Sequence, residues 1–119
     1  MSEFECIESY DVDKVSVIKF VDEKVMDPGR IEKLGKELLS VAEAESKKLL
    51  INFENVRFFS SQAINKLIVL DRRVKAGGGQ IRLSNLRPEV RDLFNYTNLD
   101  SVFVIRDEES DAIDSFEQE

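Results

Sequence analysis

Two adjacent serines carry the side chains of greatest chemical interest in this sequence. Ser60 and Ser61 stand in the stretch FENVRFFSSQAINKL, where an apolar, strand-like run ends and a helical pattern begins. A serine at such a junction can cap the free N–H groups of the helix with its hydroxyl. The same position can accept a phosphoryl group, because the helix dipole and the free N–H groups accommodate negative charge. The spacing leaves both interpretations open, a helix cap and a phosphorylation site.

Other kinds of chemistry lack the residues they need. The chain has no histidine, which excludes a histidine base, a histidine-based triad and a histidine metal ligand. The single cysteine, Cys6, excludes a thiolate zinc cage and is predicted to be a small core residue. The glycines Gly77–Gly79 lack the Lys-Ser/Thr pair of a phosphate-binding loop, and Asp22, Glu23 and Asp27 do not match a calcium loop. We therefore expect no enzymatic activity, no cofactor and no metal site.

Composition and charge narrow the class of protein further. Hydrophobic residues make up 42% and charged residues 34% of the 119 residues, which is ordinary globular composition and predicts a single domain over residues 1–119. The formal net charge of −7 repels a polyanion, so we expect no nucleic-acid partner. No apolar run approaches the length of a membrane span, and the acidic N-terminus does not resemble an export signal. These features predict a cytoplasmic protein without membrane insertion.

The elements that position the serines begin with a predicted hairpin and a helix. The segment FECIESYDVDKVSVIKF alternates apolar and polar residues around an Asp-containing break, which predicts two strands joined by a turn, with Val15, Val17 and Ile18 in the core. The motif DPG at Asp27–Gly29 predicts the start of a helix running to about Ser46. On that helix one face is apolar and the other is predicted to face solvent, the solvent face carrying Lys33, Lys36, Glu37 and Glu43.

The middle of the chain predicts a central strand and a second helix. The nearly continuous apolar run KKLLINFENV is typical of a strand that is covered on both faces. After the serines, apolar residues recur at helical spacing and predict an amphipathic helix that ends at Gly77–Gly79; its predicted core residues are Ala63, Ile64, Leu67, Ile68, Val74 and Ala76.

The last third of the chain continues the alternation of strand and helix. QIRLSNL predicts a short strand with Ile81 and Leu83 on one face, and SVFVI predicts a final strand. Between them Pro88 opens a helix, and an acidic helix ends the chain; the predicted buried residues of these two helices are Val90, Leu93 and Phe94, then Ala112, Ile113 and Phe116. The whole pattern predicts an α/β or α+β fold with a mixed sheet packed against helices.

At this point the sequence resembles the STAS domain family, and within it the bacterial anti-sigma factor antagonists. The resemblance covers nearly the whole chain and is most specific over residues 49–105, with an apolar strand, a serine junction, an amphipathic helix, a glycine stop and a T-x-L element at Thr97–Leu99. It implies a STAS-type α/β fold, with a mixed sheet of four to five strands packed against about four helices.

The resemblance also implies a function. In such proteins the first hydroxyl residue of the junction is phosphorylated by an anti-sigma factor with a GHKL-type serine kinase domain, and a serine phosphatase reverses the modification. That position is Ser60, with Ser61 beside it, and the implied partner-binding residues are Phe58, Phe59, Ser60, Ser61 and Gln62. The sequence departs from the family at Phe59, which replaces an Asp, and at Gln62, which replaces a Gly. A constitutive STAS interaction module, such as a transporter subunit or a signalling scaffold, is the alternative, and Phe58 and Phe59 are open to either docking or core packing.

Overall fold

The N-terminal segment forms the predicted hairpin. In the computed structural model, which describes residues 4–43 and 48–116, β1 (Ile7–Val12) pairs antiparallel with β2 (Val15–Phe20). The two residues between the strands, Asp13 and Lys14, have φ of 49° and 73°, the positive values that a two-residue hairpin turn requires. The predicted core residues of β2 are all buried, which confirms their assignment; they are Val15, Val17 and Ile18.

The main sheet has five strands and is mixed, as predicted. Its spatial order is β1-β2-β4-β6-β7, with β4 at Lys48–Asn52, β6 at Gln80–Ser84 and β7 at Val104–Arg106. Strands β2, β4, β6 and β7 run parallel to one another, and β1 is antiparallel to β2. The central place of β4 confirms the prediction from its continuous apolar run.

A second, smaller sheet joins the end of the strand-like run before Ser60 to a segment that the sequence did not mark as a strand. The strands β3 (Lys24–Val25) and β5 (Phe58–Phe59) pair in parallel, each over two residues. Because β5 directly precedes the second helix, this small sheet fixes the position of the serine junction.

Helices cover both faces of the main sheet. The described α-helices are α1 (Pro28–Glu43), α2 (Ser61–Ala76), α3 (Pro88–Tyr96) and α4 (Glu109–Ser115), and a short 3₁₀ helix spans Leu99–Ser101. Side chains of α1, α2 and α3 pack with Leu49 and Ile51 in the larger core, whereas α4 packs with Leu50 on the opposite face. This arrangement confirms the α/β class and the expected set of about four helices.

The helix ends follow the local chemistry of the sequence. Asp27 caps α1, because its Oδ2 accepts the N–H of Arg30 at 2.8 Å. Helix α1 is described to Glu43, and its predicted extension to Ser46 lies outside the described residues. Helix α2 ends at the glycines, where Gly78 has a φ of +82°.

Several predicted burial states need correction. Glu37 was predicted to face solvent, but it is buried because its carboxylate accepts the backbone N–H groups of Glu5 (3.1 Å) and Cys6 (2.9 Å). Ala76 was predicted to be a core residue but is exposed, because it ends α2 beside the glycine turn. Leu93 and Ile68 are half-buried at the edge of the core.

A row of polar residues crosses the main sheet on the face that carries α4. The register pairs Glu8 with Lys19, Lys19 with Asn52, Asn52 with Ser84, and Ser84 with Arg106. Asn52 and Ser84 are buried, and the Nδ2 group of Asn52 donates to a glutamate of α4 at 3.0 Å. The row lies toward the carboxyl ends of the parallel strands.

Candidate functional site

Ser60 is the N-cap of α2. Its backbone is extended (φ −79°, ψ 163°), its Oγ accepts the N–H of Ala63 at 3.1 Å, and its carbonyl oxygen accepts the N–H of Ile64 at 3.0 Å. Its own N–H donates to the carbonyl of Val25 at 3.1 Å. Ser61 is the first residue of the helix and is exposed. The structure therefore confirms the capping interpretation for Ser60 and places both hydroxyls at the N-terminal end of α2.

The small β3–β5 sheet holds the approach to the serines. Lys24 is paired with Phe58 and Val25 with Phe59. The backbone N–H groups of Arg57 and Phe58 also both donate to the carbonyl of Glu23, at 2.9 and 3.2 Å. These hydrogen bonds join residues 57–59, which lead to Ser60, to residues 23–25. The backbone that presents the hydroxyl is therefore held by paired strands.

The two phenylalanines before Ser60 point to opposite sides. Phe59 is 6% exposed, and its ring centroid lies 5.4 Å from that of Phe53, 5.6 Å from that of Phe20 and 6.4 Å from that of Phe94. Phe58 is 48% exposed. Side chains of successive strand residues alternate in direction, which accounts for the difference. The sequence left open whether Phe58 and Phe59 pack in the core or dock a partner. The structure places Phe59 in the core and Phe58 on the surface.

The neighbours of Ser60 in the chain and in the small sheet expose apolar side chains. The N–H of Ser60 donates to the carbonyl of Val25, and the residue after Val25, Met26, is 53% exposed. Gln62 and Ser61 are also exposed in the first turn of α2. We call this set the Ser60 surface, and it consists of Met26, Phe58, Ser60, Ser61 and Gln62. Nothing in the sequence pattern marked Met26, because a single exposed apolar residue after a two-residue strand has no periodicity.

The electrostatic environment of the Ser60 surface favours an anion. The first turn of α2 contains no acidic residue, and its N–H groups carry the positive end of the helix dipole. The Nζ of Lys24 lies 5.6 Å from the ring centroid of Phe58, and Arg57 is ion-paired with Glu23 at 3.3 Å. A phosphoryl group on either serine would therefore meet the backbone donors at the N-terminal end of α2.

The carboxylates considered for a metal have other partners. Asp22 forms an ion pair with Arg30 at 2.8 Å, Glu23 pairs with Arg57, and Asp27 caps α1. Over residues 4–43 and 48–116, no group of three or more metal-ligating side chains comes together.

Cys6 lies in the core, as predicted. Burial raises the pKa of its thiol, and the neighbouring carboxylate of Glu37 raises it further. A raised pKa keeps the sulfur in its unreactive protonated form, so the structure gives no support to a nucleophilic role.

The T-x-L element, Thr97–Leu99, follows the last turn of α3 and lies next to the aromatic core. The Oγ1 of Thr97 donates to the carbonyl of Leu93 at 2.8 Å, and Leu99 is buried. Phe103 follows and packs on Phe94, with ring centroids 6.3 Å apart. This element therefore supports the core that holds Phe59.

Comparison with known proteins adds a family model and a set of related folds. The model of the STAS domain matches residues 7–112. An anti-sigma-factor antagonist (STAS) domain protein from Planctomyces limnophilus is similar in structure with a TM-score of 0.81 at 23% identity, over 92% of this chain and 95% of that one. SpoIIAA, the Bacillus cell fate determinant, in its phosphorylated form gives a TM-score of 0.69 at 21% identity, over 92% and 98%.

A third similar structure belongs to a membrane transporter. The murine anion transporter Slc26a9 gives a TM-score of 0.75 at 14% identity, over 92% of this chain and 19% of the transporter. Within the described residues of the present chain, no helix is long and apolar enough to cross a bilayer. At these identities the three structures show a shared fold.

Proposed function

The chain belongs to the STAS domain family, and on that basis we propose that it is an anti-sigma factor antagonist, which binds a cognate anti-sigma factor and so releases the sigma factor. The observation that carries the proposal is the position of Ser60, which caps α2 on a surface that also exposes Phe58 and Met26. In this proposal the chain acts in the cytoplasm by binding and performs no catalysis of its own.

The unphosphorylated Ser60 surface is suited to burial against a protein partner. Phe58 and Met26 supply apolar area, and each Å² removed from water contributes about 25 cal/mol. The uncharged hydroxyls of Ser60 and Ser61 and the amide of Gln62 add hydrogen-bonding groups around it. Aromatic residues and methionine are enriched at such interfaces. Phe59 contributes indirectly, since its buried side chain holds the strand that presents Phe58.

Phosphorylation of this surface would weaken binding. A phosphoserine adds about −1.5 to −2 units of charge. In the free chain, the N-terminal end of α2 and the surrounding water offset that charge, whereas a bound partner would have to bury it. We assign the phosphoryl group to Ser60 by family position, with Ser61 as the second candidate. The proposed donor is the anti-sigma factor itself, through a GHKL-type serine kinase domain, and a serine phosphatase restores the binding form.

Because Phe59 stands where the family has an Asp, this chain has no carboxylate at that position to act as a general base. In this proposal the kinase supplies the base. Phe59 packs among other phenylalanines and cannot orient the hydroxyl. The Oγ of Ser60 accepts a hydrogen bond from Ala63, which leaves its own proton free for a base on the enzyme. Removal of that proton lets the Oγ attack the γ-phosphorus of ATP with ADP as the leaving group.

Substitutions at the two serines test the proposal. Aspartate is a good N-cap, so Ser60→Asp adds charge while it preserves α2, and Ser60→Ala removes the hydroxyl without adding charge. We expect Ser60→Asp to weaken binding to the cognate anti-sigma factor by at least about tenfold and Ser60→Ala to retain binding, as measured by titration calorimetry. Ser61→Asp and Ser61→Ala are the matched controls. Equal affinities of Ser60→Asp and Ser60→Ala would refute a switch at Ser60, and a loss confined to Ser61→Asp would transfer it to Ser61.

A constitutive STAS interaction module is the second candidate. It is favoured by the absence of a carboxylate at position 59, and the likeness to a segment of an anion transporter shows that the fold also occurs in a different setting. This function requires stable association that ignores ATP and phosphatase. Site-resolved phosphopeptide mass spectrometry on the protein from its native cells separates the two. Phosphate on Ser60 or Ser61 that varies with growth condition supports the switch, and its absence at full peptide coverage supports the constitutive module.

A further inference from the structure

Strand β7 forms an open edge of the main sheet. In the part of the chain that the structure describes, it pairs on one side only, with β6. The carbonyl of Arg106 accepts the N–H of Asn85 at 3.3 Å, so the backbone groups of Arg106 face β6. Backbone groups of successive strand residues point to opposite edges, so the N–H and carbonyl of Ile105 face outward. An edge with free backbone groups is a template for an added strand.

A basic groove runs beside this edge. It has a volume of about 430 Å³ and is lined by Arg91 of α3 and by residues 100–106. Among the described residues, neither Arg91 nor Arg106 forms an ion pair, although the chain as a whole carries a net charge of −7. The Nη1 of Arg106 donates to the outward-facing carbonyl of Ile105 at 3.2 Å. The guanidinium therefore occupies the acceptor that an added strand would use.

We propose that the β7 edge binds an extended, acidic peptide segment of a partner protein by strand addition. The peptide backbone pairs with the N–H and carbonyl of Ile105, and its carboxylates pair with Arg91 and Arg106. On binding, the guanidinium of Arg106 leaves the Ile105 carbonyl for a peptide carboxylate, a stronger charge-assisted partner. The exposed side chain of Val102 in the groove wall offers an apolar contact. Backbone pairing combined with side-chain contacts is the general mode of strand addition.

The charges at the edge favour an acidic partner over a second copy of the chain. Two β7 strands paired with each other would bring the Arg106 side chains of both copies onto one face of the joined sheet, directly opposite in a parallel pair and diagonal in an antiparallel pair centred on Ile105, and like charges so placed repel. The acidic Asp100 in the groove wall limits the attraction to peptides whose carboxylates reach the two arginines. The β7 edge shares no residue with the Ser60 surface, so this proposal does not depend on the antagonist function.

A labelled peptide tests the proposal on the whole chain. The probe is a capped five-residue peptide that alternates valine and glutamate, and its control alternates valine and lysine. Fluorescence anisotropy is expected to show that the glutamate peptide binds and the lysine peptide does not. We expect Arg91→Ala or Arg106→Ala to weaken binding of the glutamate peptide about tenfold, because each variant loses one charge-assisted contact. Arg72→Ala, at an exposed arginine of α2 outside the groove, is the matched control and is expected to leave binding unchanged. In an amide NMR spectrum, the Ile105 N–H is expected to shift the most.

Four results would overturn the proposal. They are no binding of the glutamate peptide by the unaltered chain, equal binding of the lysine peptide, peptide binding that ignores both Arg91→Ala and Arg106→Ala, and shifts that lie away from Ile105. Dimerisation of Arg106→Ala without any peptide binding by the unaltered chain would show that Arg106 only guards the edge against self-association, and that outcome also rejects the proposal.

Discussion

Replacing Phe59 by alanine tests whether the core, rather than the surface, holds the serine junction. The side chain is 6% exposed and lies against three other phenylalanine rings. Truncation of a buried phenylalanine typically costs about 3–5 kcal/mol, and the loss of two edge-to-face contacts and one tilted ring contact favours the middle of that range or above. We expect a loss of about 4 kcal/mol, which is a large part of the roughly 5–15 kcal/mol that stabilises a domain.

Phe58→Ala is the matched control, because Phe58 lies next to Phe59 in the same short strand. It is 48% exposed, and its described ring contact is with the Nζ of Lys24, a contact worth about 0.5–1 kcal/mol. We expect Phe58→Ala to cost no more than about 1 kcal/mol of unfolding free energy while it weakens binding to the anti-sigma factor.

Urea denaturation followed by far-ultraviolet circular dichroism measures both variants, since the chain contains no tryptophan. Equal losses of unfolding free energy in Phe58→Ala and Phe59→Ala, or a loss below about 1.5 kcal/mol for Phe59→Ala, would refute the division between core and surface. The slopes of the two unfolding curves must agree for the comparison to hold, because a changed slope would indicate a changed denatured state.

Three further predictions follow from contacts outside the aromatic core. Ser60→Ala is expected to lower the unfolding free energy by about 1 kcal/mol through loss of the cap, whereas Ser61→Ala stays within about 0.5 kcal/mol, both from urea midpoints. Gly78→Ala is expected to cost about 1 kcal/mol because its φ is +82°, whereas Gly77→Ala, at a φ of −86°, is expected to be close to neutral in thermal unfolding. Partial burial of the Tyr10 side chain, which is 38% exposed, and then a hydrogen bond to a glutamate of α4 raise the pKa of its hydroxyl above the usual value. Its contribution to stability is therefore complete below about pH 10 and is lost as the pH rises toward the folded-state pKa. The advantage of the unaltered chain over Tyr10→Phe should accordingly shrink in alkaline urea titrations, and a constant difference would contradict it.

The arrangement of apolar residues predicted the long elements, because burial of one face leaves a periodic pattern and burial of both faces leaves a continuous apolar run. The apolar spacing of Leu67 and Val74 gave α2, and the uninterrupted run at Leu49–Ile51 gave the central strand with both faces covered. The small sheet could not be predicted in this way, since a two-residue strand has no period. Its parallel pairing of Val25 with Phe59 joins segments that lie far apart in the chain.

The candidate site was predicted in part for similar reasons. The junction of strand and helix was sufficient to predict Ser60 as a cap, because the hydroxyl acts on N–H groups within the next three residues. The opposite orientations of Phe58 and Phe59 depend on the pairing with β3, which no local pattern shows. The buried state of Glu37 likewise depends on backbone donors 31 and 32 residues away in sequence. Phosphorylation of Ser60 stays a prediction.

The polar row across the main sheet has a consequence for how the strands find their alignment. Parallel strands are joined by a long crossover segment, and such non-local pairing forms slowly. The register between β4 and β6 is therefore set late in folding. A slip of one residue in β4 would turn Asn52 away from the α4 face, where its Nδ2 donates to Glu109, and into the aliphatic layer beneath α1 and α2. Burying the amide of Asn52 there without a partner would penalise the shifted alignment. The polar row thus favours the native register of the parallel strands over registers that are shifted by one residue.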